Sequence, residues 1–181
     1  MKHHLLLRIA DEDDVANIVS LLNTCYRGGQ GWTTEAGMVA GERIDEDTVA
    51  GMLAAKRHFF FVFENMGHDV DSALLGCIVM QLDVRSQGDV AHIEMVAVHP
   101  EVQKQGVGGE MLKQVEAFAK AHLGQGWVKM QVIESRRELL AYYERRGYEK
   151  SGVTGPLPDW GYQQPIADNL HLVELHKRLL D

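Results

Sequence analysis

Residues 93–113, IEMVAVHPEVQKQGVGGEMLK, constrain this chain more than any other stretch. An apolar strand ends at His99-Pro100, where proline removes a ladder donor, and a glycine-rich turn then opens directly into an amphipathic helix. Such a strand–turn–helix aims several backbone N–H groups at one point beside the positive end of a helix dipole. That point suits a phosphate-bearing ligand. On spacing alone a GxGG turn is also compatible with a tight connection and nothing more.

The rest of the chain says what surrounds this unit. With 181 residues one domain, spanning 1–181, is expected, and the apolar content of 45% supplies a core for it. No apolar run approaches the ~20 residues of a membrane helix, and MKHHLLLRIA lacks a secretory pattern, so a cytoplasmic address and no membrane partner are expected. A net charge of −8 argues against a nucleic-acid surface. Most of the acidic excess precedes residue 91. Cys25 and Cys77 match no metal or redox spacing and read as core thiols; no metal is expected.

Hydrophobic periodicity gives strands at 4–10, 59–63, 73–84, 90–98, 127–133, 148–151 and 169–177, and helices at 12–26, 45–56, 106–122 and 136–146. Asp11 to Asp14 and Asp45 stand where helix starts want carboxylates, and Gly147 is placed as a C-cap. Turns are expected at 65–72 and at SQGD. Glycine-rich 27–41 and proline-rich 154–165 read as long loops of the kind that line binding sites. Strict alternation along 90–98 would put His92, Glu94, Val96 and Val98 on one face and Ala91, Ile93, Met95 and Ala97 on the other. The order is that of a mixed α/β domain with helices on both faces of a central sheet.

Two common phosphate motifs are excluded. A Walker P-loop needs GxxxxGK[ST], which is absent, and a Rossmann turn needs a third glycine that is missing here, in an element that sits past mid-chain after two antiparallel strands. Instead VAVHPEVQKQGVGGEML resembles motif A of the GNAT superfamily of acyl-CoA-dependent N-acyltransferases. LLAYYERRGYEKSG, residues 139–152, is similar to that family's motif B. The element order matches the family from first strand to last.

The resemblance implies a GNAT-like α/β fold with a mixed sheet of about six to seven strands, and acetyl-CoA as co-substrate. In the implied site, backbone amides of Gln103, Lys104, Gln105, Gly106, Val107, Gly108 and Gly109 hold the pyrophosphate. The main chain of Val96, Ala97 and Val98 meets the pantetheine arm. Gln103 departs from the arginine many members carry there. Arg136 stands where many have asparagine, so it is assigned no role.

Direct acyl transfer needs an amine freed of its proton, a donor to the oxyanion and a proton for the leaving thiolate. By resemblance Tyr143 is the acid, against a reading in which it only packs its helix; Tyr142, on another helical face, is expected in the core. Glu94 is the candidate base, directly or through water, against a solvent-facing carboxylate; His92 and His99 are the alternatives. His92-Ile93-Glu94 echoes the H-x-E of zinc deaminases, but no P-C-x-x-C follows. Trp32, Glu35, Asp159, Trp160 and Asp168 could wall the pocket of an amine-bearing acceptor, small molecule or peptide. The resemblance also allows a homodimer, and a silent acyl-CoA-binding module stands as the alternative to an enzyme.

Overall fold

The computed structural model describes residues 5–29, 31–32, 34–65, 74–83, 90–158, 164–166 and 170–179. In chain order it contains β1 (Leu5–Ile9), α1 (Val15–Arg27), β2 (Val39–Ala40), α2 (Glu46–Ala54), β3 (His58–Asn65), β4 (Gly76–Leu82) and β5 (Val90–Val98). Then follow α3 (Val107–Leu123), β6 (Trp127–Ile133), α4 (Arg137–Glu144), β7 (Glu149–Pro156), β8 (Gln164–Pro165) and β9 (His171–Arg178). Seven strands form one sheet in the order β1-β3-β4-β5-β6-β9-β7, in which only β5 and β6 run parallel.

The apolar run of β3 explains how both sheet faces are covered. Phe61 and Phe63 turn into the layer with Met111, Leu112 and Val115 of α3 and with Leu140 and Tyr143 of α4. Phe60 and Val62 turn the other way, against Ile18 and Leu22 of α1 and Val49 of α2. A strand buried on both faces reads as continuous rather than alternating hydrophobicity. Cys25 and Cys77 are buried free thiols in the second layer. Cys25 donates to the Val98 carbonyl at 3.3 Å, and burial pushes its thiol up to about 12. It is chemically quiet.

Both helix starts with carboxylates form caps. The Asp45 carboxylate accepts from the Thr48 amide at 2.8 Å, and Asp11 and Asp14 form a reciprocal capping box around a short 3-10 turn before α1. Two expectations need correction. Residues 154–156, expected in a loop, prolong β7 because they pair with β9 through a register shift after Lys150. The loop at 27–41 holds β2, which pairs with β8, so the two irregular regions are tied to each other. The expected turn at 65–72 begins at Asn65, the last residue of β3; the rest of it that spans 66–72, the turn at 86–89, and Asp159, Trp160 and Asp168 lie outside the described residues.

An ion cluster locks the sheet edge to α1. Arg8 donates to both oxygens of buried Asp14 at 2.6 and 2.7 Å and to Glu64 of β3 at 2.6 Å. The Arg8 guanidinium holds the Asp14 carboxyl below its ordinary value of 3.8. In the unfolded chain the carboxyl returns to that value, so as pH falls the unfolded state takes up the proton first. The stabilisation is therefore complete above 3.8 and is lost as pH drops through the lower folded value. Asp14→Asn should cost about 1–3 kcal/mol near neutrality, with the deficit shrinking in acid. Urea melts of parent and variant between pH 7 and pH 3 measure this, and a pH-independent deficit would show the carboxylate charge to be irrelevant.

Candidate active site

The site begins where the sheet opens. β5 pairs with β4 from Ala91 to Val98, but with β6 only over Val90–His92. Beyond His92 the two parallel strands separate. The cause is local: Met95 has φ of 50°, and the β4–β5 register shifts between Cys77 and Val79, so one extra residue sits in β5. Such a bulge bends its strand and re-aims the side chains beyond it.

The bulge also overturns the alternation expected for this strand. His92 and Glu94 do not share a face with Val96 and Val98. Glu94 lies opposite Val79, in the α1–α2 layer with Met95 and Ala97, whereas Val96 and Val98 join Ala91 and Ile93 on the α3–α4 side. Simple period-2 counting fails past any inserted residue.

Two cavities, each of about 280 Å³, flank the opening and share Val96, Leu139 and Tyr143. The first contains the glycine turn: Gln103, Lys104, Gly106, Val107, Gly108 and Gly109 line it, with Trp32, Tyr142 and Arg146. Gly106 caps α3 with φ of 86° and no side-chain bond, a conformation that favours glycine. A helix start leaves its first amides without intrahelical carbonyls, here those of Val107 and Gly108. Two of the seven amides expected to hold a ligand have carbonyl partners within the turn. The Gln103 amide donates to the Pro100 carbonyl and the Gly109 amide to that of Gly106. Gln105 is exposed, its side chain donating to the Glu101 carbonyl at 3.0 Å. Ala97 is buried in the α1–α2 layer and can act only through its main chain.

Gln103 works as a clasp. Its Oε1 accepts from the Trp32 amide at 2.7 Å while its Nε2 donates to the Val98 carbonyl at 2.8 Å. Arg136 secures the same loop by donating to the Trp32 carbonyl at 2.6 Å. Trp32 lines the glycine-turn cavity, edge-on to Tyr142 at 4.9 Å, and does not line the second one. Tyr142 is also repositioned: it is half-buried at the cavity wall, with its hydroxyl against Gly108.

The second cavity is lined by Glu94, His92, Glu35, Tyr26, Arg43 and Arg136, among others, and carries both signs of charge. Glu35 is paired with Arg27 at 2.9 Å and His92 faces Asp83 at 3.5 Å. His99 lines neither cavity; it caps the 3-10 turn at Pro100–Val102, its Nδ1 accepting from the Glu101 amide. Tyr143 sits buried between the edges of Tyr142 and Tyr148, and burial raises its phenol above the ordinary 10, with Arg136 and Arg146 pulling it back.

Comparison with protein families matches residues 16–148 to the acetyltransferase (GNAT) family. This chain belongs to the GNAT family of acetyltransferases. Solved structures agree at the level of fold. Spermidine/spermine N-acetyltransferase SpeG from Vibrio cholerae is 14% identical at a TM-score of 0.68, over 97% of this chain and 92% of that one. Ribosomal-protein-S18-alanine N-acetyltransferase from Escherichia coli is 16% identical at 0.69, over 98% and 95%. A protein assigned as a phosphinothricin N-acetyltransferase is 17% identical at 0.69, over 98% and 99%. Comparison with curated proteins returned no match.

For a GNAT acetyltransferase the expected mixed α/β sheet of seven strands is in place, and acetyl-CoA use is typical of the family. Among the described residues no helix is long and apolar enough to cross a membrane, and no cluster of three or more potential metal ligands occurs. Sequence reading missed Tyr26, whose hydroxyl donates to the Val96 carbonyl at 3.0 Å across 70 residues of chain, and missed Arg43 and Arg146. Only folding brings these to the site; no local pattern marks them.

Proposed function

We propose that this protein transfers the acetyl group of acetyl-CoA directly to a primary amine. One observation carries the reading: the glycine-turn cavity and the charged cavity meet at Val96 and Tyr143. A donor entering from one side and an acceptor from the other are then held for reaction without a covalent enzyme intermediate. The Val107 and Gly108 amides and the α3 dipole hold the pyrophosphate. The open edge of β5 receives the pantetheine arm.

Glu94 takes the amine proton, directly or through a water. The amine nitrogen then bonds the thioester carbonyl carbon, with a main-chain donor near Val96 facing the oxyanion. As the C–S bond breaks, Tyr143 gives its proton to the departing sulfur. Titration of released thiol against polyamines, amino acids, amino sugars and peptides tests this. Saturable acetyl-CoA binding with no thiol release on any acceptor would favour a silent binding module instead.

The base assignment has its own test. Glu94→Gln should lower kcat by about 10²-fold at neutral pH. The loss should shrink as pH approaches the acceptor amine's own pKa, where the amine sheds its proton unaided. A pH-rate profile with His92→Gln alongside decides it. If the histidine variant shows that pattern and the glutamate variant does not, the base is His92.

A further inference from the structure

The glycine-turn cavity carries one cation on its own turn, the exposed Lys104, while Gln103 adds no charge: it is neutral, and both ends of its amide are engaged. Arg146, from the turn after α4, reaches into the same cavity. Its Nη1 donates to the Tyr142 carbonyl at 2.9 Å, and its guanidinium carbon stands 3.5 Å from the centre of the Tyr142 ring. The group lies against the first turn of α3. A Cβ on Gly109 would come within 3.1 Å of its Nη2 and 3.2 Å of its Nε.

This placement is unfavourable in isolation. A cation at a helix N-terminus opposes the macrodipole, which wants an anion there. Stacking on Tyr142 offsets part of that cost, and no carboxylate lines the cavity among the described residues. A guanidinium held at the positive end of a helix, beside amides without intrahelical partners, makes electrostatic sense once an anion lies between them. We infer that Arg146 is a phosphate-binding cation of this cavity, packed against Gly109 and, unlike the exposed Lys104, pre-oriented by Tyr142. The assignment rests on the proposed use of acetyl-CoA, whose pyrophosphate and 3′-phosphate share the required chemistry.

Binding of acetyl-CoA and of 3′-dephospho-acetyl-CoA to the parent, Arg146→Gln and Arg146→Lys proteins, followed by calorimetry, is the test, with the KM for the phosphate-free thioester S-acetyl-pantetheine as reference. Arg146→Gln should raise the Kd for acetyl-CoA about tenfold or more, as loss of a charge-assisted bond does. The difference should narrow with added salt, and lysine should restore part of it. The KM for S-acetyl-pantetheine should change little, since that thioester carries no phosphate, whereas its kcat reads any effect passed on to Tyr143. If the loss vanishes with the dephospho compound, Arg146 holds the 3′-phosphate; if it persists, the pyrophosphate. An equal rise in the KM for S-acetyl-pantetheine would show that Arg146 only supports Tyr142, and would overturn the assignment. So would an unchanged Kd in a parent that binds acetyl-CoA. A parent that binds no acetyl-CoA would sink the proposed function, and this assignment with it.

Discussion

Tyr143→Phe is expected to bind acetyl-CoA as tightly as the parent and to lose at least about a hundredfold in kcat. The ring is buried among Tyr142, Tyr148 and Leu140, so phenylalanine preserves the packing and removes only the hydroxyl. Burial is the main reason the phenol sits above its ordinary 10. It therefore keeps its proton throughout the neutral and mildly alkaline range. A thiolate departing into the same dry space has its own proton affinity raised by the same desolvation, so donor and acceptor of the proton stay matched. Single-turnover rates with a pre-bound acetyl-CoA pool measure the step. An unchanged rate where chemistry is limiting would assign Tyr143 to packing alone.

Gly108→Leu is expected to abolish detectable acetyl-CoA binding in a protein that still folds. A Cβ at this position would stand 2.9 Å from the Tyr142 hydroxyl and 3.2 Å from Cγ2 of Val98, so the rest of the side chain must enter the cavity. The helix itself gains, because leucine replaces glycine in its first turn, worth up to about 1 kcal/mol. Gly106→Ala is the informative contrast. Its Cβ would meet nothing, so the penalty is the left-handed φ of 86°, about 1–2 kcal/mol of stability. Calorimetric titration and thermal melts of both variants separate the two effects. Normal affinity in folded Gly108→Leu would remove the glycine turn from the cofactor site.

Both substitutions fall on residues legible in the chain, since each sits inside a motif whose chemistry is local. The turn from Gln103 to Gly109 was visible because glycine spacing and the following apolar stripe are consecutive in sequence. Tyr143 was visible through the resemblance of LLAYYERRGYEKSG to motif B. Element order was legible for the same reason: period-2 and period-3.6 patterns, with Asp11, Asp14 and Asp45 as caps, are properties of neighbouring residues.

What could not be read is non-local. The bulge at Met95 depends on a register with β4 that closes only when the sheet forms, and it reverses the faces assigned along half of β5. The roles of Gln103 and Arg136 in holding Trp32, and of Tyr26 at the Val96 carbonyl, span roughly 70 to 104 residues. Arg146 reads in sequence as a charge near a helix end, where a cation suits the dipole of its own helix. In the fold it lies against the opposite end of another helix. The sequence by itself determined the main helices and strands, their order and the glycine turn. Only the tertiary structure decided which side chains meet at the opening between β5 and β6, because that opening is made by strand register and not by any single segment.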